Sequence, residues 1–346
     1  MLFKAWTKIF LLTSISFFLI IISLNFIVNP YHIFNDTLFS KYFPQKNYQV
    51  STRMASFYIA KHSQPKNLMM GSSRIEMFPK TDLNKYLKTS IYNLAMSGAN
   101  IEEQTQYIMY MIKNHDIQNI VWALDFFAFN PDRANDPTFS YNRLSTTLIK
   151  DDYKVALLSL QTSKNSLKTI QDNIDYSKNK TVQKPLYLIK KEFNKQYTLL
   201  SKRTIDKQTE QTLDYYKRKM LKNKNFDNPK SILPNIKKVN SIIDLCHKNH
   251  IKLYIYLSPV QESMLNLYTK LGLLHTFKFW KKSLQDITSY TDFCTKNSVT
   301  VNKYNFIDGA HIMPQFSNLI FAKVFHDTTI DIPSDFGTYI KQSKLK

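Results

Sequence analysis

The sequence is short of three things. Of 346 residues only two are cysteine and five are glycine, and 26 acidic side chains face 47 Lys and Arg. Two cysteines, Cys246 and Cys294, cannot build a disulfide framework or a paired-cysteine zinc site. Both fall in segments that read as helical, so two buried thiols are expected, with one structural disulfide left open for an oxidising compartment. No HExxH-like spacing is present either, so the expectation is no metal and no cofactor. With glycine this scarce, Gly71, Gly98 and Gly309 gain weight. Each stands at a predicted element boundary, where a chain needs positive φ or a close backbone approach. The shortage of acid leaves a formal net charge of +21. Such a balance suits an anionic membrane surface, an anionic polymer or nucleic acid, or it reflects free use of Lys on solvated faces. No nucleic-acid reader motif is found, and no internal repeat.

What is present begins with a long apolar run. From Ile9 to Val28 only Thr13, Ser14, Ser16, Ser23 and Asn25 interrupt it, and none of them is charged. About 20 such residues span a bilayer core as a helix. Lys4 and Lys8 precede the run and Lys41 is the next Lys or Arg after it, so the positive-inside rule puts the N-terminus in the cytoplasm and the rest outside. A cleaved signal peptide is the rival reading, but its apolar region is shorter and no small-x-small cleavage site follows this run. The expected organisation is a tip and transmembrane anchor over 1–30, a juxtamembrane connector over 31–65 rich in aromatics, and one domain over 66–346.

From Lys66 the pattern alternates strand and helix. Apolar runs at Asn67–Met70, Ile91–Met96, Asn119–Phe127 and Ile251–Leu257 read as strands, with a further strand at Val299–Val301. Ile101–Asn114, Ile232–Asn249, Phe279–Lys296 and a segment from about Pro314 to Val324 read as helices. Such alternation predicts an α/β domain whose parallel sheet is covered on both faces, with its active groups at the carboxyl ends of the strands. Between about 131 and 233 the alternation stops. That polar, Lys-rich stretch reads as a helical insertion, either with solvated faces or facing an anionic polymer or lipid head groups.

Two short blocks carry the chemistry. Leu68-Met69-Met70-Gly71-Ser72-Ser73-Arg74 reads as a strand that stops at a glycine and presents a serine beside the start of a helix, where developing negative charge is favoured. Asp308-Gly309-Ala310-His311 supplies a base and a carboxylate to orient it. Ser73, His311 and Asp308 are the candidate nucleophile, base and orienting acid, with Ser72 as the rival nucleophile. The backbone N–H groups of Ser73 and Gly98 are the candidate oxyanion donors, with Asn100 or Asn130 as a side-chain donor. Arg74 either clamps an anionic substrate group or pairs with a carboxylate.

Gly71-Ser72-Ser73 resembles the nucleophile block of the SGNH (GDSL-like) hydrolases, with Ser72 where the commonest form has aspartate. Asn93-Leu94-Ala95-Met96-Ser97-Gly98 resembles the second block, whose glycine N–H serves the oxyanion hole, and Asp308–His311 resembles the last. The third block departs: where the family has a Gly-x-Asn donor, this chain has Leu124-Asp125-Phe126-Phe127-Ala128-Phe129-Asn130. The resemblance covers roughly 66–130 and 250–325. It implies a flavodoxin-like parallel sheet with helices on both faces, here with a helical insertion and an N-terminal transmembrane helix. An anchor followed by such a domain is similar to bacterial envelope proteins that move acyl groups, among them D-alanyl-transfer and exopolysaccharide acetylation proteins. The implied function is that of a membrane-anchored, extracytoplasmic serine acyl esterase or O-acyltransferase acting on a cell-envelope glycan, lipid or polymer. Its implied partners are the membrane and an anionic envelope polymer or a membrane-bound acyltransferase. The alternative is a non-catalytic scaffold of the same fold, or a polymer-binding protein.

Overall fold

The computed structural model describes residues 2–35, 38–44, 46–145, 150–178, 200–222 and 224–343. The chain divides into two compact units. One comprises Met1–His62 with Thr138–Ile189, the other Ser63–Pro137 with Lys190–Lys346.

The first unit is helical where it is described. Helix α1 covers Leu2–Val28, and its Phe3–Val28 stretch is long and apolar enough to cross a membrane. Its apolar side chains stay exposed as far as Ile20, but Asn25 and Val28 are buried. The segment expected to be a connector is packed within this unit. Tyr31 and Ile33 are buried, and Thr52–Ser63 forms helix α2, which buries Met54, Ala55, Phe57 and Tyr58. A short 3-10 turn (Asn142–Leu144) and helices α5 (Lys150–Leu158) and α6 (Leu160–Lys178) follow in the second segment of this unit. Asp152 anchors it: the carboxylate accepts Nε and Nη2 of buried Arg143 at 2.7 and 2.9 Å, and the Tyr58 hydroxyl at 3.1 Å. A bidentate pair satisfies both charges where a lone one would be costly to bury.

The second unit is built on a six-stranded, mostly parallel sheet. Its strands are β1 (Asn67–Met70), β2 (Ile91–Asn93), β3 (Asn119–Leu124), β4 (Lys252–Leu257), β5 (Tyr290–Asp292) and β6 (Thr338–Ile340), in the order β2-β1-β3-β4-β5-β6. Only β6 runs antiparallel. β1 and most of β3 are buried, as expected of parallel strands covered on both faces. Successive side chains of β3 point to opposite faces. Val121 and Ala123 join Met69, Tyr256, Ile75, Phe78 and Phe321 in one core. Trp122, between them, donates its indole N–H to Gln104 (2.8 Å) on helix α4 (Ile101–Asn114). Helix α8 (Leu233–Lys248) packs beside α4, and helix α11 (Ser317–Val324) carries Phe321.

Three expectations need correction. Val299–Val301 is not a strand, because the Asn297 side chain accepts the N–H groups of Val299 and Thr300 (both 3.0 Å) and folds the segment into a turn. The fifth strand is instead Tyr290–Asp292, inside the stretch expected to be helical. Helix α10 (Leu274–Ile287) stops where Thr288 turns extended. Cys294 therefore follows a strand rather than sitting on a helix; it and Cys246 are buried free thiols. The insertion expected over about 131–233 is divided. Residues 131–137 and 200–222 belong to the sheet-bearing unit, α5 and α6 belong to the other, and 179–199 lie outside the described residues.

Candidate active site

β1 ends at Met70 and the chain turns at Gly71 with φ +151°. A Cβ there would lie 2.7 Å from Ile75 Cγ2 and 2.8 Å from the Ala123 carbonyl oxygen, so only glycine passes under β3 at this point. Ser72 caps the short helix α3 (Ser73–Glu76), accepting the Arg74 N–H at 3.4 Å. The next residue, Ser73, is half-buried. Its Oγ is 2.8 Å from His311 Nε2.

His311 is delivered by a tight loop. The Asp308 carboxylate accepts the backbone N–H groups of Ala310 (2.8 Å) and His311 (2.9 Å), and Phe306 pairs with Ile312 across the loop's base. The same carboxylate meets His311 Nδ1 with both oxygens at 2.9 Å. Burial alone would raise the pKa of Asp308. The His311 charge, the His311 side-chain hydrogen bond and the two backbone N–H groups outweigh it, so the carboxyl lies below its ordinary value. An ionised carboxylate only accepts, so Nδ1 donates to it and Nε2 is left to accept the Ser73 hydroxyl proton. The His311 and Asp308 side chains keep 20 and 15 % exposure, enough for a reactant to reach them. Ser73, His311 and Asp308 are thus brought together, and Ser72 is not the exposed hydroxyl.

The two candidate backbone donors lie on neighbouring turns. Beyond β2, Leu94 N–H bonds Met69 O (2.9 Å) and Met96 N–H bonds Gly71 O (3.1 Å), which carries Ser97-Gly98 alongside the serine turn. Gly98 has φ +65°, and its carbonyl accepts from Arg133 Nη2. Among the described residues no protein acceptor meets the backbone N–H of Ser73 or Gly98. The two amides are placed elsewhere. Asn100 caps α4 through Glu103 N–H (2.9 Å) and donates to Arg133 O and Asn135 Oδ1. Asn130 accepts Asp132 N–H and donates to the carbonyls of Met220 and Lys222. Both are braces between segments: Asn100 ties the start of α4 to residues 133–135, and Asn130 ties its own turn to residues 220–222.

Arg74 is 3 % exposed and presents no guanidinium to a substrate. It donates Nη1 to Asp125 Oδ1 (2.9 Å) and Nη2 to the Tyr216 hydroxyl (3.3 Å). Ser72 donates Oγ–H to the other Asp125 oxygen at 2.5 Å. Asp125 therefore fills the irregular third block as the counter-ion of the serine turn. The register Met70↔Trp122 places the end of β3 beside that turn, a signal available once a parallel β1–β3 pair is assumed. Tyr216 had no such signal. It follows helix α7 (Lys202–Tyr215) in a π-helical turn, Tyr216–Met220, and burial pushes its hydroxyl up to about 12. Helix α7 also lays Leu213 and Thr209 against Gly309, where an added Cβ would stand 3.3 Å from Leu213 Cδ2. Arg133 and α7 are the parts of the site that sequence reasoning missed.

No protein-family model matches the chain, and no curated protein matches it.

Proposed function

We propose that the chain is a membrane-anchored serine ester hydrolase or O-acyltransferase of the SGNH type. The observation that carries the reading is the continuous path from Ser73 Oγ through His311 to Asp308, with one 2.8 Å and two 2.9 Å contacts. In the reaction, His311 Nε2 takes the Ser73 proton as Oγ attacks an ester carbonyl. The N–H groups of Ser73 and Gly98 receive the developing oxyanion. His311 then protonates the leaving alcohol, and water or an acceptor hydroxyl releases the acyl group by the reverse steps. Asp308 holds the tautomer throughout. The strand order β2-β1-β3-β4-β5 also supports the reading. It is the order of flavodoxin-like sheets, whose sites lie at the carboxyl ends of strands where the order reverses; Ser73 and Asp125 follow the two strands at that reversal. The lysines preceding the apolar run support an extracytoplasmic catalytic unit, hence an envelope glycan, lipid or polymer as acyl donor or acceptor.

A fluorophosphonate probe applied to the full-length protein in lipid nanodiscs tests this. The expected result is labelling that Ser73→Ala abolishes and His311→Ala slows by orders of magnitude. Labelling that persists in Ser73→Ala refutes the assignment. One observation favours a second reading, a non-catalytic scaffold: both candidate side-chain amides, Asn100 and Asn130, donate to other partners, and losing one such oxyanion donor costs about 2.7–4 kcal/mol of transition-state stabilisation. A scaffold would leave wild type unlabelled and would keep its cellular role in Ser73→Ala.

A further inference from the structure

The strongest feature outside the catalytic unit is the corner between α5 and α6, all of it in the N-terminal unit. There Leu158 and Leu160, on either side of Ser159, are 52 and 74 % exposed, and Leu167 two turns further along α6 is 57 % exposed. Exposed leucines this close together mark a candidate contact site.

The contacts of α1 identify it. Asn25 is fully buried, and its Nδ2 donates to Leu157 O (2.9 Å) and Ser163 Oγ (3.1 Å), while Ser166 Oγ donates to its Oδ1 (2.9 Å). These bonds tie the polar interruption of the apolar run to both sides of the corner. They also make the end of α1 a packed part of the folded unit rather than a separable leader. If Ile9–Val28 fills the hydrocarbon layer, Asn25 lies three residues, about 4.5 Å, inside its boundary. The corner bonded to Asn25 then stands at that boundary, with Leu158 and Leu160 facing outward. Lys154 and Lys164, both exposed, stand one turn from these leucines on either side. That is the pattern of an interfacial element, with apolar side chains in the acyl region and lysines among the head groups.

We propose that the α5–α6 corner is a second, non-spanning membrane contact, seated in the lipid leaflet at the C-terminal end of α1. The partner is the lipid surface itself. The inference rests on α1 crossing the membrane and is independent of the serine chemistry. Its effect would be to restrain the N-terminal unit against the bilayer rather than leave it tethered by one helix.

The test uses the full-length protein in nanodiscs of phosphatidylcholine and phosphatidylglycerol, with Leu158→Cys, Leu160→Cys or Gln171→Cys carrying an environment-sensitive fluorophore. Burial pushes the Cys246 and Cys294 thiols up to about 12, so the introduced cysteine is the one that reacts. At 158 and 160 the expected result is blue-shifted emission, strong quenching by acyl-chain nitroxide lipid, and several-fold less iodide quenching than at exposed Gln171. Iodide quenching equal to that at Gln171 overturns the proposal. So does protection from both quenchers, which would mean that a second protein surface covers the corner.

Discussion

Asp125 receives Ser72 and Arg74 inside the protein, whereas Asp308 receives His311 at the mouth of the site. The two carboxylates should therefore separate stability from chemistry. Asp125→Asn leaves the Arg74 charge buried without its counter-ion, which costs about 3–5 kcal/mol. Urea unfolding should read that loss directly, and a change below about 1 kcal/mol, the worth of a surface pair, would mean that the pair is not sealed from water. Asp308→Asn should lose the stability of the ionised carboxylate but less than Asp125→Asn, because an amide oxygen can still accept the loop N–H groups. It should label with fluorophosphonate about 10⁴-fold more slowly, because the imidazole loses its enforced tautomer. An unchanged labelling rate would remove Asp308 from the triad. The triad was legible because each half is local: a glycine after an apolar strand, and a carboxylate three residues before a histidine. For Arg74, pairing with a carboxylate was one of the two readings but which carboxylate was not legible, and Asn100 and Asn130 were not legible as braces. Their partners, Asp125, Arg133 O and Met220 O, are set by tertiary packing across 51, 33 and 90 residues.

At the scale of elements, the site depends on how β1 hands over to α3. The turn sits under β3, and its Cβ-free residue is what lets Ile75 and Ala123 close on it. Gly71→Ala combines backbone strain with overpacking against a carbonyl that cannot move without the sheet, an expected cost of about 2–5 kcal/mol. A denaturant midpoint within error of wild type would refute the close approach. Elements with a strong period were readable: Ile101–Asn114 forms a helix over the residues its apolar spacing marks. β5 was not, because Tyr290–Asp292 is too short to show alternation and follows a helix whose stripe of Phe277, Trp280 and Leu284 reads on into it. Helix α7 was equally silent. Its sequence is polar, and nothing in it marks Leu213 as the residue that meets Gly309.

For the whole molecule, the two units should respond differently to acid. His32, outside the apolar run, has its pKa lowered from 6.5 to about 3, first by burial and then by the charges of Lys46 and His62. Between those values the unfolded chain binds a proton that the folded unit refuses. Stability therefore falls as pH drops through this window, by up to about 1.4 kcal/mol per pH unit. Asp308 in the sheet-bearing unit works over a lower range. Its depressed pKa contributes stability that is complete above its ordinary value of 3.8 and is lost only below it. Acid should accordingly open the N-terminal unit first. Limited proteolysis at about pH 4.5 should cut within 29–62 and 138–178 while the sheet residues 67–124 and 252–292 stay resistant. His32→Asn, which tolerates the positive φ of this position and does not gain a charge in acid, should keep the neutral-pH digestion pattern. Equal acid sensitivity of the variant would assign the transition to another group. Simultaneous loss of both units would mean that they unfold as one cooperative body.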